Sequence, residues 1–283
     1  MITKCSQSGP LVSIIVPTYN SGHTLNRCLD SIEAQTYNEI EVIVVDGGST
    51  DSTESIATAH RCRFIRDSHR GMTHQSNVGL QESNGKYVYR NDSDIVNDRT
   101  LVEDAVQLCE SKGLGGVSIF WAPDPTMGFW ARVRNLEKSC YKGDLLHCGA
   151  RFVRRDAIEA VGGWNESITA GEDYDLYNRL AGRDCSIGFI ETGGLHIGEP
   201  RSLGEIVRKQ FAYGKTIRSF LKENKSMGLI QISPVRPAFM TNANRFLRQP
   251  VLALGFVVYE TVVYSSTLLG FLASVLSGKS GGH

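Results

Sequence analysis

The sequence predicts an α/β fold, in which helices flank a mostly parallel sheet and further helices follow toward the C-terminus. Short apolar, β-branched runs alternate with helix-type segments through the first 110 residues. Strand–helix alternation of this kind indicates βαβ units, whose parallel strands are buried on both faces. With 283 residues and 41% apolar residues, the chain can bury a large core, so a disordered chain and a disulfide-stapled miniprotein are excluded.

The predicted strands of the N-terminal part end in polar residues. The first spans residues 12–17 and precedes a helix within residues 21–35. The second spans residues 41–45 and runs into Asp46, and a third at residues 86–89 leads to a pair of aspartates. Because ligands of open parallel sheets gather at the carboxyl ends of the strands, this pattern predicts one ligand crevice.

The middle of the chain is less regular. Residues 120–130 hold two tryptophans and two prolines and are expected to form a loop or flap. A short helix is predicted within residues 156–164 and ends at glycines, and a second helix begins near Glu172. A strand at residues 186–191 precedes His196, and the chain becomes helical and basic from about Ser202.

The C-terminal part predicts a membrane-associated segment. Residues 251–277 contain one charge, Glu260, and about 20 apolar residues are enough to span a bilayer. We therefore divide the chain into an N-terminal α/β domain at residues 1–225, which would carry any catalysis, and a helical, membrane-associated region at residues 226–283. Three readings stay open: a single span or hairpin, an interfacial anchor, and a soluble oligomerisation helix.

The flanking charges predict an orientation. Three arginines precede the apolar segment and only Lys279 closely follows it. By the positive-inside rule this places the catalytic domain in the cytoplasm. The N-terminus lacks a signal-peptide pattern, and seven scattered cysteines without a C-x-x-C pair fit a reducing compartment. Small residues recur at every fourth position of the apolar segment, at Ser266, Gly270 and Ser274. This pattern would suit helix–helix contact.

The charge balance excludes one class of partner. Thirty basic residues cancel thirty acidic ones, so nothing draws the chain as a whole to nucleic acid. Any phosphate must instead be bound by local geometry. No nucleic-acid partner is expected.

Five polar residues could carry chemistry, and each also has a structural reading. Asp92 and Asp94, one residue apart, could bind Mg²⁺ or Mn²⁺ or form a solvated turn. Asp46 before two glycines could accept a hydrogen bond from a nucleotide base or cap a turn. Asp173 could be a general base or only suit a helix N-terminus. His196 could be a third metal ligand or a structural histidine.

The order of these blocks is more specific than any one of them. VSIIVPTYN, VIVVDGGSTDST, Asn77-x-Gly79, KYVYRNDSD and GGWNE…GEDYDLYNRL follow one another within about 170 residues. This series resembles the family 2 glycosyltransferases of the GT-A fold, and the resemblance extends from about residue 11 to residue 214. It implies a Rossmann-like nucleotide-binding half and an acceptor half.

The resemblance also implies roles for individual residues. Asp46 matches the contact to the base, Asp92 lies near the ribose, and Asp94 binds the metal and the diphosphate, with Asp92 as a second metal ligand. Asp173 matches the catalytic base, and His196 lies near the metal. The remaining implied donor contacts are Pro17, Thr18, Tyr19, Asn77 and Lys215, the last with Arg208 and Lys209 as further candidates.

Two departures from the family pattern narrow the expected reaction. Ser76 stands where relatives often have arginine before Asn77, so one polar contact to the donor is either absent or supplied by Arg70 or Arg90. The Q-x-x-R-W motif of processive synthases is absent from the sequence. Non-processive transfer of one sugar at a time is therefore expected.

The resemblance implies an inverting glycosyltransferase that uses a divalent metal and a UDP- or GDP-linked sugar. The acceptor is expected to be a hydroxyl of a glycan or a lipid-linked sugar at the membrane. A polyprenyl (dolichyl)-phosphate sugar synthase is the alternative, and a non-catalytic nucleotide-sugar sensor is a further one. A dinucleotide oxidoreductase is disfavoured because no G-x-G-x-x-G follows the first strand.

Overall fold

The computed structural model describes residues 9–279. The central sheet has seven strands, a second sheet has three, and two short 3₁₀ turns lie at residues 125–127 and 139–141. The strands are β1 (Val12–Thr18), β2 (Ile40–Asp46), β3 (Arg63–Arg66), β4 (Tyr87–Arg90), β5 (Ile95–Asn97), β6 (Gly116–Ser118), β7 (Trp121–Pro123), β8 (Phe152–Arg154), β9 (Ile187–Phe189) and β10 (Gly194–His196).

Helices cover both faces of the central sheet and form the C-terminal region. They are α1 (Leu25–Glu33), α2 (Thr53–Ala59), α3 (Met72–Gln81), α4 (Leu101–Lys112), α5 (Phe129–Lys138), α6 (Leu145–Cys148), α7 (Arg155–Ala160), α8 (Glu172–Ala181), α9 (Leu203–Gln231), α10 (Pro237–Thr241), α11 (Ala243–Leu247) and α12 (Pro250–Lys279).

The central sheet confirms the predicted class. Its strand order is β3-β2-β1-β4-β8-β6-β9, and the neighbouring pairs are parallel except those made by β8. All seven residues of β1 are buried, as its continuous apolar pattern predicts. Ile14 faces the core formed with α1 and α4, whereas Ile15 faces the core formed with α3, α7 and α8.

The three-stranded sheet was not expected from the sequence. Its order is β5-β10-β7, and each strand has three residues. The predicted loop at residues 120–130 is therefore wrong in part, because β7 and the start of α5 lie within it. Trp121 of β7 is 5% exposed, so burial of its indole is what makes this segment regular. The small sheet brings His196 beside the turn after β4.

The C-terminal helices pack on the catalytic core. α12 lies against α5 and α9, where Tyr259 and Ser266 are buried. A Cβ on Gly270 would lie 2.1 Å from the Phe211 carbonyl oxygen. A Cβ on Gly214 would lie 2.1 Å from the Thr267 carbonyl oxygen. The predicted small-residue spacing thus lets two helices approach closely within one chain.

Among the described residues, one helix is long and apolar enough to cross a membrane, Pro250–Leu276, with a mean hydropathy of 1.5. Within α9, the backbone is non-helical at Lys225, the last residue of the predicted catalytic domain. The division into two domains stays a prediction. Residues 280–283 of the predicted C-terminal region lie outside the described residues.

Candidate active site

The carboxyl ends of β1, β2 and β4 meet at one edge of the sheet, as their parallel register requires. Thr18 at the end of β1 is paired with Asp46 at the end of β2, and its hydroxyl donates to the Asp46 carboxylate over 3.2 Å. Pro17 precedes Thr18 in the same buried strand. The turn after β4 brings Asp92 and Asp94 to the same edge.

The Asp46 carboxylate organises the turn that follows it. One oxygen accepts hydrogen bonds from the backbone N–H groups of Gly48 and Ser49, at 3.1 and 2.8 Å. The Ser49 hydroxyl donates to the other oxygen. Asp46 therefore caps this turn, which is the structural role that the sequence allowed for it. Its contact to a base stays a prediction.

Tyr19 and Arg70 form an open stacking surface beside this turn. Tyr19 is 43% exposed, and the Arg70 guanidinium lies 4.3 Å from the centroid of its ring. Of the two arginines considered as replacements for the missing family arginine, only Arg70 is exposed here. Arg90 is buried and bound to carboxylates.

Asp94, His196 and Glu199 form a chain of contacts. The Asp94 Oδ2 lies 3.1 Å from the His196 Nε2, and the His196 Nδ1 lies 2.8 Å from the Glu199 Oε1. Burial opposes the charge on His196, but hydrogen bonds to Asp94 and Glu199 outweigh it and raise the pKa of His196 to about 9. Burial likewise opposes ionisation of Glu199, yet its bond to His196 holds its pKa far below the usual range.

These atoms fit a divalent cation. The Asp94 Oδ2 and the His196 Nε2 lie 3.1 Å apart in an ion pair, and a cation bound between them would replace this contact by taking both atoms as ligands. Oxygen and imidazole donors suit Mn²⁺, and Glu199 would orient the imidazole from behind. The Asp92 Oδ1 is buried without a hydrogen bond among the described residues but lies 3.4 Å from the Arg90 Nη2, so a cation would have to take it from this ion pair.

Asp92 and Asp173 share two arginines. The Arg151 guanidinium lies 3.4 Å from the Asp92 carboxylate and also contacts Asp173. The Arg90 guanidinium lies 3.4 Å from Asp92, 2.9 Å from Asp173 and 3.1 Å from Glu172. Burial opposes ionisation of Asp92, but Arg90 and Arg151 outweigh it and lower its pKa. Burial and the neighbouring Asp173 charge raise the pKa of Glu172.

Local backbone geometry sets the position of Asp173. It lies in the first turn of α8, which follows Gly171 in a left-handed conformation with φ of +85°. Gly149 approaches so closely that a Cβ there would lie 2.7 Å from the Asp173 Cβ. Arg151 follows two residues later, just before β8, and its guanidinium lies 3.8 Å from the centroid of the Trp121 ring.

Two adjoining cavities open on these groups. The Asp173 cavity, of about 260 Å³, is lined by Asp173, Arg134, Lys138, His147 and Arg151, among others. The His196 cavity, of about 190 Å³, is lined by Asp92, His196, Glu199 and Lys209, among others. The two cavities share wall residues and are therefore adjacent, namely Trp121, Arg134, Lys138, Arg151 and Tyr213.

Two predicted donor contacts lie elsewhere. The Asn77 amide donates to the Trp164 carbonyl and to Glu166, both over 2.8 Å, and its oxygen accepts from the Trp164 N–H. Its side chain therefore ties α3 to the following loop and is not free for a donor. Lys215 is exposed, with its ammonium 4.8 Å from the Phe211 ring centroid. Of the three basic candidates, Lys209 lines the His196 cavity, and the residue that contacts the diphosphate stays a prediction.

Sequence reasoning missed several residues of the site. Glu199 stands three positions after His196, a spacing that could have been noticed. No motif contains Arg151, Lys138 or His147, and no helix or strand is predicted from the sequence around them. Only the antiparallel insertion of β8 and the packing of α5 bring them beside Asp173.

Comparison with known proteins gives similar chains and similar folds. The chain is 29% identical to the glycosyltransferase AglE of Haloferax volcanii over 225 residues, 73% of this chain and 72% of that protein. Among solved structures it resembles the mannosyltransferase PcManGT of Pyrobaculum calidifontis in complex with GDP-Man and Mn²⁺. The TM-score is 0.60 at 20% identity, covering 97% of this chain and 80% of that one.

A second similar fold is that of TarS from S. aureus, residues 1–349, in complex with UDP-GlcNAc. Its TM-score is 0.58 at 16% identity, covering 96% of this chain and 92% of that one. The family model for glycosyl transferase family 2 matches residues 13–161, which is more than half of the chain. The protein therefore belongs to glycosyl transferase family 2 and is a transferase enzyme with a GT-A-like fold.

Proposed function

We propose that this enzyme transfers one sugar from a UDP- or GDP-linked donor to an acceptor hydroxyl, with inversion at the anomeric carbon. The observation that carries the proposal is the position of Arg151, which contacts both Asp92 and Asp173. One guanidinium group thus brings the aspartate pair of the donor side within reach of the candidate base. The solved relatives with GDP-Man and UDP-GlcNAc support a nucleoside-diphosphate sugar as donor.

The transfer is a single displacement. The acceptor oxygen forms a bond to the anomeric carbon, and the bond from that carbon to the diphosphate oxygen breaks. The electron pair leaves with the nucleoside diphosphate, and Asp173 accepts the hydroxyl proton. Attack opposite the leaving group inverts the configuration. To act as base, Asp173 exchanges one arginine contact for the acceptor hydroxyl.

Donor binding follows from the residues at the strand ends. Tyr19 and Arg70 offer a face for the base, Asp46 and Thr18 close the pocket below it, and Lys209 faces the diphosphate side. Asp94 and His196 would hold a divalent cation, with Asp92 beside them. Such a cation, when bound, neutralises charge on the leaving diphosphate.

The C-terminal helix supports attachment in the plane of a membrane surface. One side of α12 is covered by α5 and α9, and α9 carries exposed charges such as Lys215 and Arg218. A bilayer-spanning α12 would take these charges into the lipid at a large cost. The other side of α12 is exposed and apolar, with Val251, Leu254, Val257, Val258, Leu268, Leu269 and Leu272.

Charge supports the same placement. Residues 224–283 contain five basic residues and one acidic residue, Glu260, and Arg245 and Arg248 are exposed next to α12. An apolar helix face bordered by cations suits an anionic lipid surface. The catalytic domain would then lie on the cytoplasmic leaflet.

The donor site is tested by thermal unfolding of the detergent-solubilised protein. UDP, GDP, CDP and dTDP are compared, each with Mn²⁺ or with EDTA, and NAD serves as an unrelated nucleotide. A ligand at 100 times its Kd adds about 2.7 kcal/mol of stability, which is about 5–10 °C for a protein of this size. We expect one nucleoside diphosphate to give a Mn²⁺-dependent shift.

Matched variants locate that shift. Asp94→Asn should abolish the Mn²⁺-dependent part, whereas Asp184→Asn, an exposed aspartate outside the site, should keep it. A shift that survives Asp94→Asn, or no shift with any nucleotide in folded protein, would contradict the proposed function.

Membrane attachment is tested with vesicles that contain anionic lipid. Leu268→Glu places a charge on the exposed face of α12 and should weaken vesicle binding about tenfold to a hundredfold, because burial of a leucine contributes about 1.5–3 kcal/mol. Gln107→Glu adds the same side chain to an exposed position of α4 and should leave binding unchanged. Equal binding of the two variants would contradict the in-plane arrangement.

A second candidate is a polyprenyl-phosphate sugar synthase, and one observation favours it. The Asp173 carboxylate is bound by two arginines, and an acceptor phosphate is already ionised near neutral pH and needs no base. Asp173→Asn distinguishes the two. It should strongly reduce transfer to a hydroxyl and largely spare transfer to a phosphate oxygen.

A further inference from the structure

Building on the proposed transferase function, we propose that the Asp173 cavity binds the phosphate of a lipid-borne acceptor. The lipid chain of that acceptor would lie in an apolar cavity between α9 and α12. Three observations support the proposal. They are the cationic wall of the Asp173 cavity, an imidazole in that wall without a hydrogen-bond partner on one nitrogen, and the mostly apolar cavity that adjoins it.

Positive side chains dominate the wall of the Asp173 cavity. Arg134, Lys138 and Arg151 all line it. Arg134 pairs with Glu137, and Arg151 pairs with Asp92 and Asp173. Lys138 is half-buried and forms no ion pair with any carboxylate of the described residues, although its ammonium lies 5.9 Å from the centroid of the Phe120 ring. A partly buried cation without a counter-ion is costly, and an anionic ligand would supply the missing charge.

His147 provides an independent sign of a ligand. Its side chain is 6% exposed, and its Nδ1 lies 2.6 Å from the Asp144 Oδ2. Its Nε2 is buried and has no hydrogen-bond partner among the described residues, although the residue lines the same cavity. The contact to Asp144 fixes the ring, which leaves the Nε2 available to a phosphate oxygen.

An apolar cavity of about 220 Å³ adjoins this cationic wall. Its wall is mostly apolar and includes Ile217 and Phe220 of α9 and Val263 of α12, and the charged side chains that also line it are Arg134, Glu137, Arg236 and Glu260. It meets the Asp173 cavity because both are lined by Arg134, Ala170, Gly171, Tyr174 and Tyr213. An acceptor with a charged head and an apolar chain matches this arrangement better than a soluble sugar phosphate does.

His147 distinguishes the Asp173 cavity from the donor side. Tyr19 and Asp46 line neither cavity, and of the candidate metal ligands Asp92 and His196 line only the His196 cavity, within the part of the chain that the structure describes. His147 lines only the Asp173 cavity. The three cations of the wall line both cavities, so His147 is the group that assigns an anion to the side of the base, where the acceptor must lie.

The test measures binding of the full-length protein to phosphatidylcholine vesicles. One set contains a polyprenyl phosphate, and a second set contains the same mole fraction of the corresponding polyprenol. We expect the phosphate to strengthen binding about tenfold or more over the alcohol, since hydrogen bonds to charged groups contribute about 1.5–3 kcal/mol each. Lys138→Met should remove most of that preference.

Control variants separate a specific site from general attraction. Lys142→Met removes the same charge from an exposed lysine paired with Glu191 and should keep the preference. His147→Phe, which keeps a ring beside Tyr141 but removes the Nε2, should reduce it as Lys138→Met does. Equal effects of the two lysine variants, or equal binding of phosphate and alcohol, would overturn the proposal.

Competition by soluble phosphates distinguishes a lipid phosphate from a free phosphate as the ligand. Inorganic phosphate and glycerol 3-phosphate are added as competitors, and a lipid phosphate that binds no more tightly than they do would overturn the assignment to a lipid. The Mn²⁺-dependent nucleotide shift is measured on the same samples. If the nucleotide shift is present but the phosphate preference is absent, the acceptor-phosphate inference fails and the transferase function stands. If the phosphate preference is present but the nucleotide shift is absent, the phosphate site stands and the transferase function is refuted.

Discussion

Replacing Lys138 by methionine should stabilise the protein at neutral pH. Burial lowers the pKa of Lys138 from its usual 10.5 to about 8, and repulsion by Arg134 adds to the effect. Each pKa unit corresponds to about 1.36 kcal/mol, so the charged lysine destabilises the folded state by about 3 kcal/mol at most. Because the ammonium borders an open cavity, solvent screens part of this cost, and we expect a gain of about 1–3 kcal/mol.

The pH dependence of the gain follows from the direction of the shift. Below pH 8, both the folded and the unfolded chain carry the proton on Lys138, and the full cost is present. Between pH 8 and 10.5 the folded protein loses this proton first, so the wild-type protein gains stability relative to Lys138→Met. The advantage of the variant should therefore be largest near pH 7 and shrink toward pH 10.

Thermal unfolding at pH 7 and at pH 10 measures both effects. A gain of about 1–3 kcal/mol corresponds to about 2–10 °C, and Lys142→Met serves as the control without a buried charge. The reasoning is refuted if Lys138→Met is no more stable than Lys142→Met at pH 7, or if its advantage does not change with pH. A stabilised variant with impaired acceptor binding would show that the site is maintained at the expense of stability.

Three further predictions concern the base, the metal and the helix contact. Asp173→Asn should lose about 10²–10⁴-fold of turnover with a hydroxyl acceptor and keep the Mn²⁺-dependent nucleotide shift; undiminished turnover would remove Asp173 from the role of base. Glu199→Gln should raise the Mn²⁺ concentration needed for half of that shift about 10–100-fold, because the charge that orients His196 is lost; an unchanged requirement would mean that His196 is not a ligand. Gly270→Ala should cost about 1–3 kcal/mol, since the new Cβ would lie 2.1 Å from the Phe211 carbonyl oxygen, and thermal unfolding checks this. Gly204→Ala, whose Cβ would meet nothing closer than 4.0 Å, is the control and should not lower stability.

The sheet and the strand ends could be predicted because their signals are local. β1 and β2 are continuous apolar runs, and the polar residues after them necessarily lie at one edge of a parallel sheet. The pairing of Asp94 with His196 could be anticipated only through the family resemblance, because β5 and β10 have three residues each. Strands this short have no detectable period in the sequence.

The residues of the proposed acceptor side could not be predicted from the sequence, for a different reason. Arg151 reaches Asp173 because β8 is inserted antiparallel between β4 and β6, and no local pattern encodes that position. Lys138 is a basic residue at the end of an amphipathic helix, which usually means a solvated side chain. Its position in the cavity wall beside Trp121 and Arg151 depends on tertiary packing and not on a local pattern.

Because two arginines are shared by several carboxylates, the residues of the site differ in how readily they can be substituted during evolution. Loss of any one charge among Asp92, Arg151 and Asp173 would unbalance a buried cluster of ion pairs, so single substitutions there are costly. Lys138 forms no ion pair with a carboxylate of the described residues, so its replacement leaves none of these carboxylates unpaired. New acceptor preferences can therefore arise by single substitutions on that wall while the reaction itself is inherited unchanged.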